Sequence, residues 1–350
     1  MKSNYKAIGE LVERIDERNR DGSITTLIGV SIDKKFIPSV ANVVGTDLTN
    51  YKVIRKYDFA VSLMQVSRDE KIPVACQKEY DAAIMSPAYP IFRVKDTNII
   101  MPEYLEMWFM RSEFDREASF VAVGGVRGSM PWEEFAKLKL PVPNIEIQKE
   151  IVSSYRAIID RITLKKRIND NLEATLTAVF TEIFSAAEAT EQTKLSELMT
   201  FGNGKSRPKT DGTIPVYGGN GVLSYTDQYN IENAILIGRV GAYCGSVYLE
   251  QGICWVSDNA IFAKSKVSID EFFDYFLLKG LNLFNRHVGT GQQLLTQEIL
   301  NNIEVAKPNI EQIEIFNTKA KAVFQSISAN RDEIIRLQEL SDLLLSRLAG

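Results

Sequence analysis

Two stretches of the chain place their core positions alternately four and three residues apart. The first runs Ile151, Tyr155, Ile158, Ile162, Lys165, Asn169, Leu172, Leu176, Val179, Ile183, and the second Phe316, Ala320, Val323, Ile327, Asn330, Ile334, Leu337, Ser341, Leu344, Leu348. That spacing is the seam of a coiled coil and predicts two long helices. Their entrances are nearly identical, Pro143-Asn144-Ile145-Glu146 and Pro308-Asn309-Ile310-Glu311, at an offset of 165. The same offset aligns Val123-Gly124 with Val288-Gly289, Glu133 with Glu298, Phe135 with Leu300 and Leu138 with Ile303. A repeat this long means that a whole domain plus its helix was duplicated. Full antiparallel overlap sets Ile151 against Leu348, Ile183 against Phe316 and Asn169 against Asn330. A polar core residue is costly unless it has a polar partner, so the Asn169 and Asn330 match favours antiparallel over parallel pairing. Each seam spans about 34 residues, which is roughly 50 Å of helix, or on the order of 15 base-pair steps of B-DNA.

The remaining pattern is β-rich and irregular. Ile8, Leu11, Val12 and Ile15 recur at helical spacing and predict a short amphipathic helix over about residues 5–19. Short strands are expected at Leu27-Ile32, Phe59-Val66, Ala82-Met85 and Ile91-Val94, a helix from Pro102 through Phe109, a glycine loop at 124–129, and a second short helix from Trp132 to Lys137. The second copy keeps this order. Leu195-Leu198 opens it, Ile214-Tyr217, Ala234-Gly238, Ser246-Leu249 and Ala260-Lys264 are strand-like, Glu271-Leu278 is the matching helix, and His287-Gln293 takes the place of the loop. The expected fold class is α+β, with two β-rich domains joined by two long helices pairing as an antiparallel coiled coil in a pseudo-two-fold internal repeat. Expected boundaries are 1–142, 143–188 for the first helix, 189–307, and 308–350 for the second helix.

Composition narrows the function classes. The 350 residues are 45% hydrophobic, ample for two cores, and the net charge of −4 means that nucleic-acid contact must come from local clusters. Three cysteines without a close pair make neither a disulfide framework nor a zinc site, and no apolar run nears the roughly 18 residues needed to span a bilayer, so a cytoplasmic setting is expected. Strings that imitate active sites fail in detail. Gly202-Asn203-Gly204-Lys205-Ser206 resembles the end of a phosphate loop, but Met199 stands where the motif needs glycine. Ser86-Pro87-Ala88-Tyr89 lacks the leading amide and second proline of the tetrapeptide with which amino-methyltransferases grip a flipped base, and no Phe-x-Gly-x-Gly cofactor loop accompanies it. His287, the single histidine, cannot support a histidine-based metal site or activate a nucleophile elsewhere. The expectation is a chain with no catalytic residue, metal site or cofactor of its own.

What remains is loop chemistry suited to DNA. In the second copy Lys205, Arg207, Lys209, Tyr217, Asn220, Arg239, Tyr243, Arg286, Gln292 and Gln293 sit in or beside glycine-punctuated loops, and in the first copy the analogous candidates are Arg68, Lys71, Lys78, Arg93, Arg127 and Ser129. Arginine and lysine suit guanine edges and phosphates, asparagine and glutamine suit adenine, and glycine lets backbone approach a phosphate. On the residues alone, two other classes stay open: a degenerate DNA methyltransferase or nuclease, and a coiled-coil scaffold whose β units bind proteins.

The order of these pieces resembles the specificity (S) subunit of type I restriction-modification enzymes. Pro141-Val142-Pro143-Asn144-Ile145-Glu146-Ile147-Gln148 is similar to that family's usual helix entrance, Ile214-Pro215-Val216-Tyr217-Gly218-Gly219-Asn220-Gly221 to the opening strand and turn of many target recognition domains, and Val256-Ser257-Asp258-Asn259-Ala260 to another recurrent piece. The likeness covers the whole chain, and the second entrance, Ala306-Lys307-Pro308, departs from the family pattern in having lost its first proline. The resemblance implies that each β-rich domain reads one half of a bipartite site on double-stranded DNA and that the helices fix the spacer. It also implies partners: two methyltransferase (modification) subunits carrying S-adenosylmethionine, and restriction subunits using ATP and Mg for translocation and cleavage.

Overall fold

The computed structural model describes residues 4–39, 45–64, 66–122, 128–185, 191–268, 270–289 and 291–349. They form two compact units, Met1–Leu164 with Glu333–Gly350, and Lys165–Asp332, and each takes one stretch of both long helices. Those helices run Ile145–Ser185 and Ile310–Ser346, 41 and 37 residues against the roughly 34 expected from the seam.

Each unit is built on the same four strands in the same order. In the first unit Val12–Ile15 pairs with Ile91–Val94, then come Phe59–Val61 and Val74–Cys76, and in the second Met199–Asn203 pairs with Ala260–Ser265, followed by Ile231–Gly238 and Val247–Val256. The second unit extends the sheet to six with the hairpin Ile214–Gly218 and Gly221–Thr226, while the first carries two separate two-stranded pairs, Ile28–Val30 with Phe36–Pro38 and Lys52–Arg55 with Ala82–Met85. The repeat thus keeps the sheet and changes what is hung on it.

The amphipathic helix expected over residues 5–19 does not form as such. Tyr5–Ala7 is a strand paired with Lys139–Pro141, only Ile8–Leu11 is helical, and Val12–Ile15 is the sheet's edge strand. Ile8 and Leu11 are buried as a helical face would bury them, but pairing with strands far along the chain overrides the local period on either side. The second unit repeats the arrangement with Gln192–Lys194 paired to Glu304–Ala306, a helical turn at Leu195–Leu198 and the strand Met199–Asn203. A helix at Ser112–Ala122 was not expected from the pattern.

Seam positions line both cores. In the second unit Leu176, Phe316, Ala320 and Ile327 are buried in the core that also holds Phe272, Phe273 and Phe276. In the first unit Leu348 joins Phe59, Phe92, Phe109 and Phe135 and the seam residues Ile151, Tyr155 and Leu344 pack against them, while Val152 and Leu345, one position off the seam, are buried in the same core. The polar layer is paired within the second unit. Asn330 Nδ2 donates to Asn169 Oδ1 at 2.8 Å, and Lys165 Nζ donates to Asn330 Oδ1 at 2.8 Å, the antiparallel match that the spacing predicts.

A buried carboxamide ties each sheet domain to its helix. Gln148, fully buried, accepts from the Met101 amide at 2.9 Å and donates to the Ile99 carbonyl, both at the start of the helix Pro102–Met110, and to the Pro143 carbonyl at the entrance of its own helix. Asn317, 3% exposed, accepts from the Phe273 amide at 2.8 Å and donates to Ser268 Oγ and the Asp270 carbonyl at the start of Phe272–Gly280. The repeat aligns Gln148 with Ile313 and Val152 with Asn317, and all four are buried, so polar and apolar residues have exchanged places by one helical turn. Beside this second tie lie Glu271, paired with Lys264 at 3.0 Å, and Asp274, which is buried to 1% exposure. Burial pushes the Asp274 carboxyl up to about 7, a rise that Ser265 opposes and Glu271 adds to.

Two tests follow from these polar groups. Asn169→Leu strands the Asn330 amide and should destabilise the chain by about 1–3 kcal/mol, while Asn169→Leu with Asn330→Leu should recover most of that loss; strictly additive losses in chemical denaturation would contradict the pairing. For Asp274 the folded carboxyl stays protonated to about pH 7, whereas an unfolded one ionises near 3.8. The stability it lends is therefore full at low pH and lost as pH rises through that window. Asp274→Asn should flatten the fall in melting temperature between about pH 4 and 7 and raise it at pH 8, and an unchanged slope would show that burial does not hold the proton.

Candidate nucleic-acid interface

One edge of the second unit's sheet gathers four loops through main-chain hydrogen bonds. Strand Ile231–Gly238 ends at Arg239, whose amide donates to the Asn259 carbonyl at 3.0 Å and whose carbonyl accepts from the Leu295 amide at 2.9 Å. The Gly241 amide donates to the Gln293 carbonyl at 3.1 Å, which lays the turn Gly241–Tyr243 against the 291–295 segment. Gly219, in the turn of the hairpin, packs against the carbonyls of Val240 and Asn259. Gly238 is the pivot of this edge. A β-carbon there would fall 2.1 Å from the Tyr243 carbonyl and 2.8 Å from that of Gly219, so no larger residue lets both loops close on the strand end.

The first unit makes the same tie in a simpler form. The Met130 amide donates to the Leu63 carbonyl at 2.8 Å, and Met130 aligns with Leu295 at the repeat offset. The Val61 amide donates to the Pro90 carbonyl at 3.1 Å, the counterpart of Arg239 to Asn259. Gly128 packs on Ser67, which brings Ser129 beside Arg68 on the helical turn Val66–Asp69.

This geometry sorts the sequence candidates. In the second unit Lys205, Asn220, Arg239, Tyr243, Gln292 and Gln293 lie on or beside the gathered edge, with Lys205 held by its amide to Val256. Arg207 and Lys209 do not. Gly212 packs on Thr226, and Thr210 bonds Thr226 and Asp227, so that segment lies at the far end of the strand Gly221–Thr226, about 17 Å from the hairpin turn. Tyr217 turns inward instead. Its hydroxyl donates to Glu250 at 2.9 Å, and burial together with Glu250 pushes the phenol's pKa up. Arg286 donates to the Leu281 carbonyl and lines a shallow groove of about 580 Å³ beside Glu298 and Glu304.

In the first unit most of the candidate charge is already spent. Arg93 grips the fully buried Asp58 through two bonds of 2.6 and 3.0 Å, which fixes the strand rather than offering a free cation. Lys78 is ion-paired with Glu106 in a groove that Tyr155 of the long helix also lines; burial opposes its charge, but Glu106 more than offsets this and holds its pKa up. Arg68 is exposed and paired with its neighbour Asp69 at 2.7 Å, Lys71 is exposed, Ser129 is partly exposed, and Arg127 lies outside the described residues.

The imitation phosphate loop is accounted for by the same contacts. The amides of Gly204 and Lys205 already donate to the carbonyls of Ala260 and Val256, at 3.1 and 2.9 Å, and extended chain rather than a helix follows. Among the described residues no cluster of three or more His, Cys, Asp or Glu is placed to hold a metal ion, and no helix is long and apolar enough to cross a membrane. The turn Ser257–Asn259 was singled out in the sequence only as a resemblance. Its exposed Asn259 stands beside Arg239, a neighbourhood visible only once strands Val247–Val256 and Ala260–Ser265 are folded against Ile231–Gly238.

Residues 68–174 and 188–335 each match the type I restriction modification DNA specificity domain. The chain belongs to that family. Its two specificity domains correspond to the two copies of the repeat and together cover most of the sequence. Among curated relatives, the type I restriction enzyme EcoprrI specificity subunit of Escherichia coli is 25% identical over 125 residues, a match spanning 35% of this chain and 31% of the relative. The type I restriction-modification system S subunit of M. genitalium superposes with a TM-score of 0.61 at 15% identity, over 100% of this chain and 97% of that one. A chain from a study of complex assembly and conformational transition in the type I R-M system gives 0.50 at 17% identity, over 99% of this chain and 98% of its own. At those identities the structures show a shared fold.

The pivot role of Gly238 can be measured directly. Gly238→Ala should lower the melting temperature by several degrees, the cost of forcing atoms into a filled site being about 1–3 kcal/mol, whereas Gly252→Ala, where only Glu250 Oε1 lies within reach at 3.4 Å, should leave it nearly unchanged. Equal effects would remove the basis for calling this edge closely packed.

Proposed function

We propose that this chain is the DNA sequence-specificity subunit of a type I restriction-modification complex, with the loop edge of each unit reading one half of a bipartite site on double-stranded DNA. The observation that carries this reading is the duplicated edge itself. The ties at Met130 to Leu63 and Leu295 to Arg239 put equivalent loops at equivalent strand ends, yet the loops differ in chemistry, as two readers of different half-sites would. The helical pair supplies geometry: its polar layer at Asn169 and Asn330 fixes the register, and register fixes the spacer. Chemistry then belongs to partners, two modification subunits bringing S-adenosylmethionine for adenine methylation, and restriction subunits bringing ATP and Mg. Leu164, Ile335, Leu340 and Leu343 lie off the seam and are exposed on the long helices, which suits docking of partner helices.

Mapping methylated adenines in cells that express this chain with its modification subunits tests the whole reading. Arg68→Ala and Gln292→Ala should each relax or weaken one half-site and leave the other intact. Removing one matched heptad from both helices should shorten the spacer by about three base-pair steps with both half-sites unchanged. Loss of both halves by either point change, with the fold intact by circular dichroism, would refute modular reading.

A further inference from the structure

A side chain that reads a base must stand on fixed backbone and must have hydrogen-bonding capacity that the free protein has not used. Two polar side chains of the second unit fail the second condition. Tyr217 gives its hydroxyl to Glu250, and the Asn230 side chain both donates to the Val256 carbonyl and accepts from its amide. Arg239 and Asn259 meet both.

Their backbones are tightly held. Arg239 is bonded on both sides, to Asn259 and Leu295. The turn that presents Asn259 is closed by Ala260 donating to Ser257 at 3.0 Å and by Ser257 donating to Tyr217 at 2.9 Å. Their side chains are available. Arg239 has no carboxylate partner among the described ion pairs: one terminal nitrogen donates to the Asp258 carbonyl at a long 3.3 Å, and Nε is buried without a partner. The amide of Asn259 is exposed and makes no hydrogen bond among the described residues.

The two residues are also neighbours across a main-chain hydrogen bond, which sets their backbones about 5 Å apart. Neighbouring base pairs are stacked about 3.4 Å apart, so two adjacent side chains on such a pair of segments match two adjacent base pairs. Arginine donates twice to the O6 and N7 of guanine, and asparagine both accepts from N6 and donates to N7 of adenine. From this arrangement we propose that Arg239 and Asn259 form one reading pair in the major groove, recognising a guanine and an adenine in adjacent base pairs of the second unit's half-site. The first unit has Pro90 where the second has Asn259, so the pair is a property of one half-site alone.

This inference rests on the DNA-reading function proposed above, and its test separates the two. The full chain with its modification subunits is assayed by mapping methylated adenines, then by binding to duplex oligonucleotides carrying the mapped site. One half-site is expected to contain guanine and adenine in adjacent pairs. Asn259→Ala should lose about ten- to a hundred-fold in discrimination at the adenine position, Arg239→Ala a similar amount at the guanine position, and neither should alter the other half-site. Replacing that adenine by 7-deazaadenine should weaken binding by the wild-type chain but have no further effect on Asn259→Ala. The 7-deaza probe on the wild-type chain stands even if a variant fails to fold. The inference is overturned if neither half-site holds such a pair, if 7-deaza substitution at either position leaves wild-type binding unchanged, or if both variants change all positions alike. Absence of any sequence-dependent methylation or binding by the wild-type complex would overturn the parent reading as well.

Discussion

The junction between sheet and helix depends on one buried amide per unit. A helix start leaves backbone donors without partners, and burying them unpaired is costly. Gln148 and Asn317 satisfy such a donor from a neighbouring helix, at Met101 and Phe273, while their own amide nitrogens are taken up by carbonyl or hydroxyl oxygens. Because each amide binds in two directions at once, neither the short helix nor the long one can slide without breaking several bonds in a site that excludes water. The loops at the sheet edge inherit their positions from that anchor: the sheet packs on the short helix, and the short helix is fixed to the long one.

The two anchors are solutions to one constraint reached with different residues. In the first unit the longer side chain sits nearer the helix entrance at Gln148, with Val152 one turn on; in the second, Ile313 is apolar and the shorter Asn317 carries the bond one turn later. A one-turn shift keeps the residue on the same face of the helix, so packing and hydrogen bonding are both preserved. What the duplication has retained is the satisfied backbone, and the identity of the residue that satisfies it has drifted.

This explains which parts of the molecule could be read from the chain and which could not. The seam and its Asn169–Asn330 layer were legible because coiled-coil geometry maps sequence spacing directly onto contacts, and the duplication was legible because Pro308-Asn309-Ile310-Glu311 repeats Pro143-Asn144-Ile145-Glu146. The first fifteen or so residues were misread because their partners, Lys139–Pro141 and Ile91–Val94, lie far along the chain, and long-range pairing outweighs a four-residue helical period. The candidate interface was half legible. Loop composition pointed to Arg239, Asn220 and Gln292, but nothing local says that Arg93 is consumed by Asp58 or Lys78 by Glu106. Charge on a sequence is only a potential ligand contact; whether it is free depends on which carboxylate the fold brings to it.

That distinction separates the two units more sharply than composition does. In the first unit Arg68, Lys78 and Arg93 are each matched to an acid, so what that unit can offer DNA without breaking these ion pairs is the exposed Lys71, shape, backbone and the hydroxyl-bearing loop beside Arg68. In the second unit Arg239 stands on backbone bonded through both its amide and its carbonyl, Lys205 is held by its amide and Asn259 by its carbonyl, with no carboxylate partner among the described ion pairs for either cation. Unpaired donors on a rigid edge lose little entropy and displace little protein structure when they meet a base, whereas an arginine already held by an aspartate must exchange one good partner for another. On the reading proposed above, the sheet common to both units constrains where DNA is met, and the surrounding ion pairs decide how much of that contact is direct hydrogen bonding.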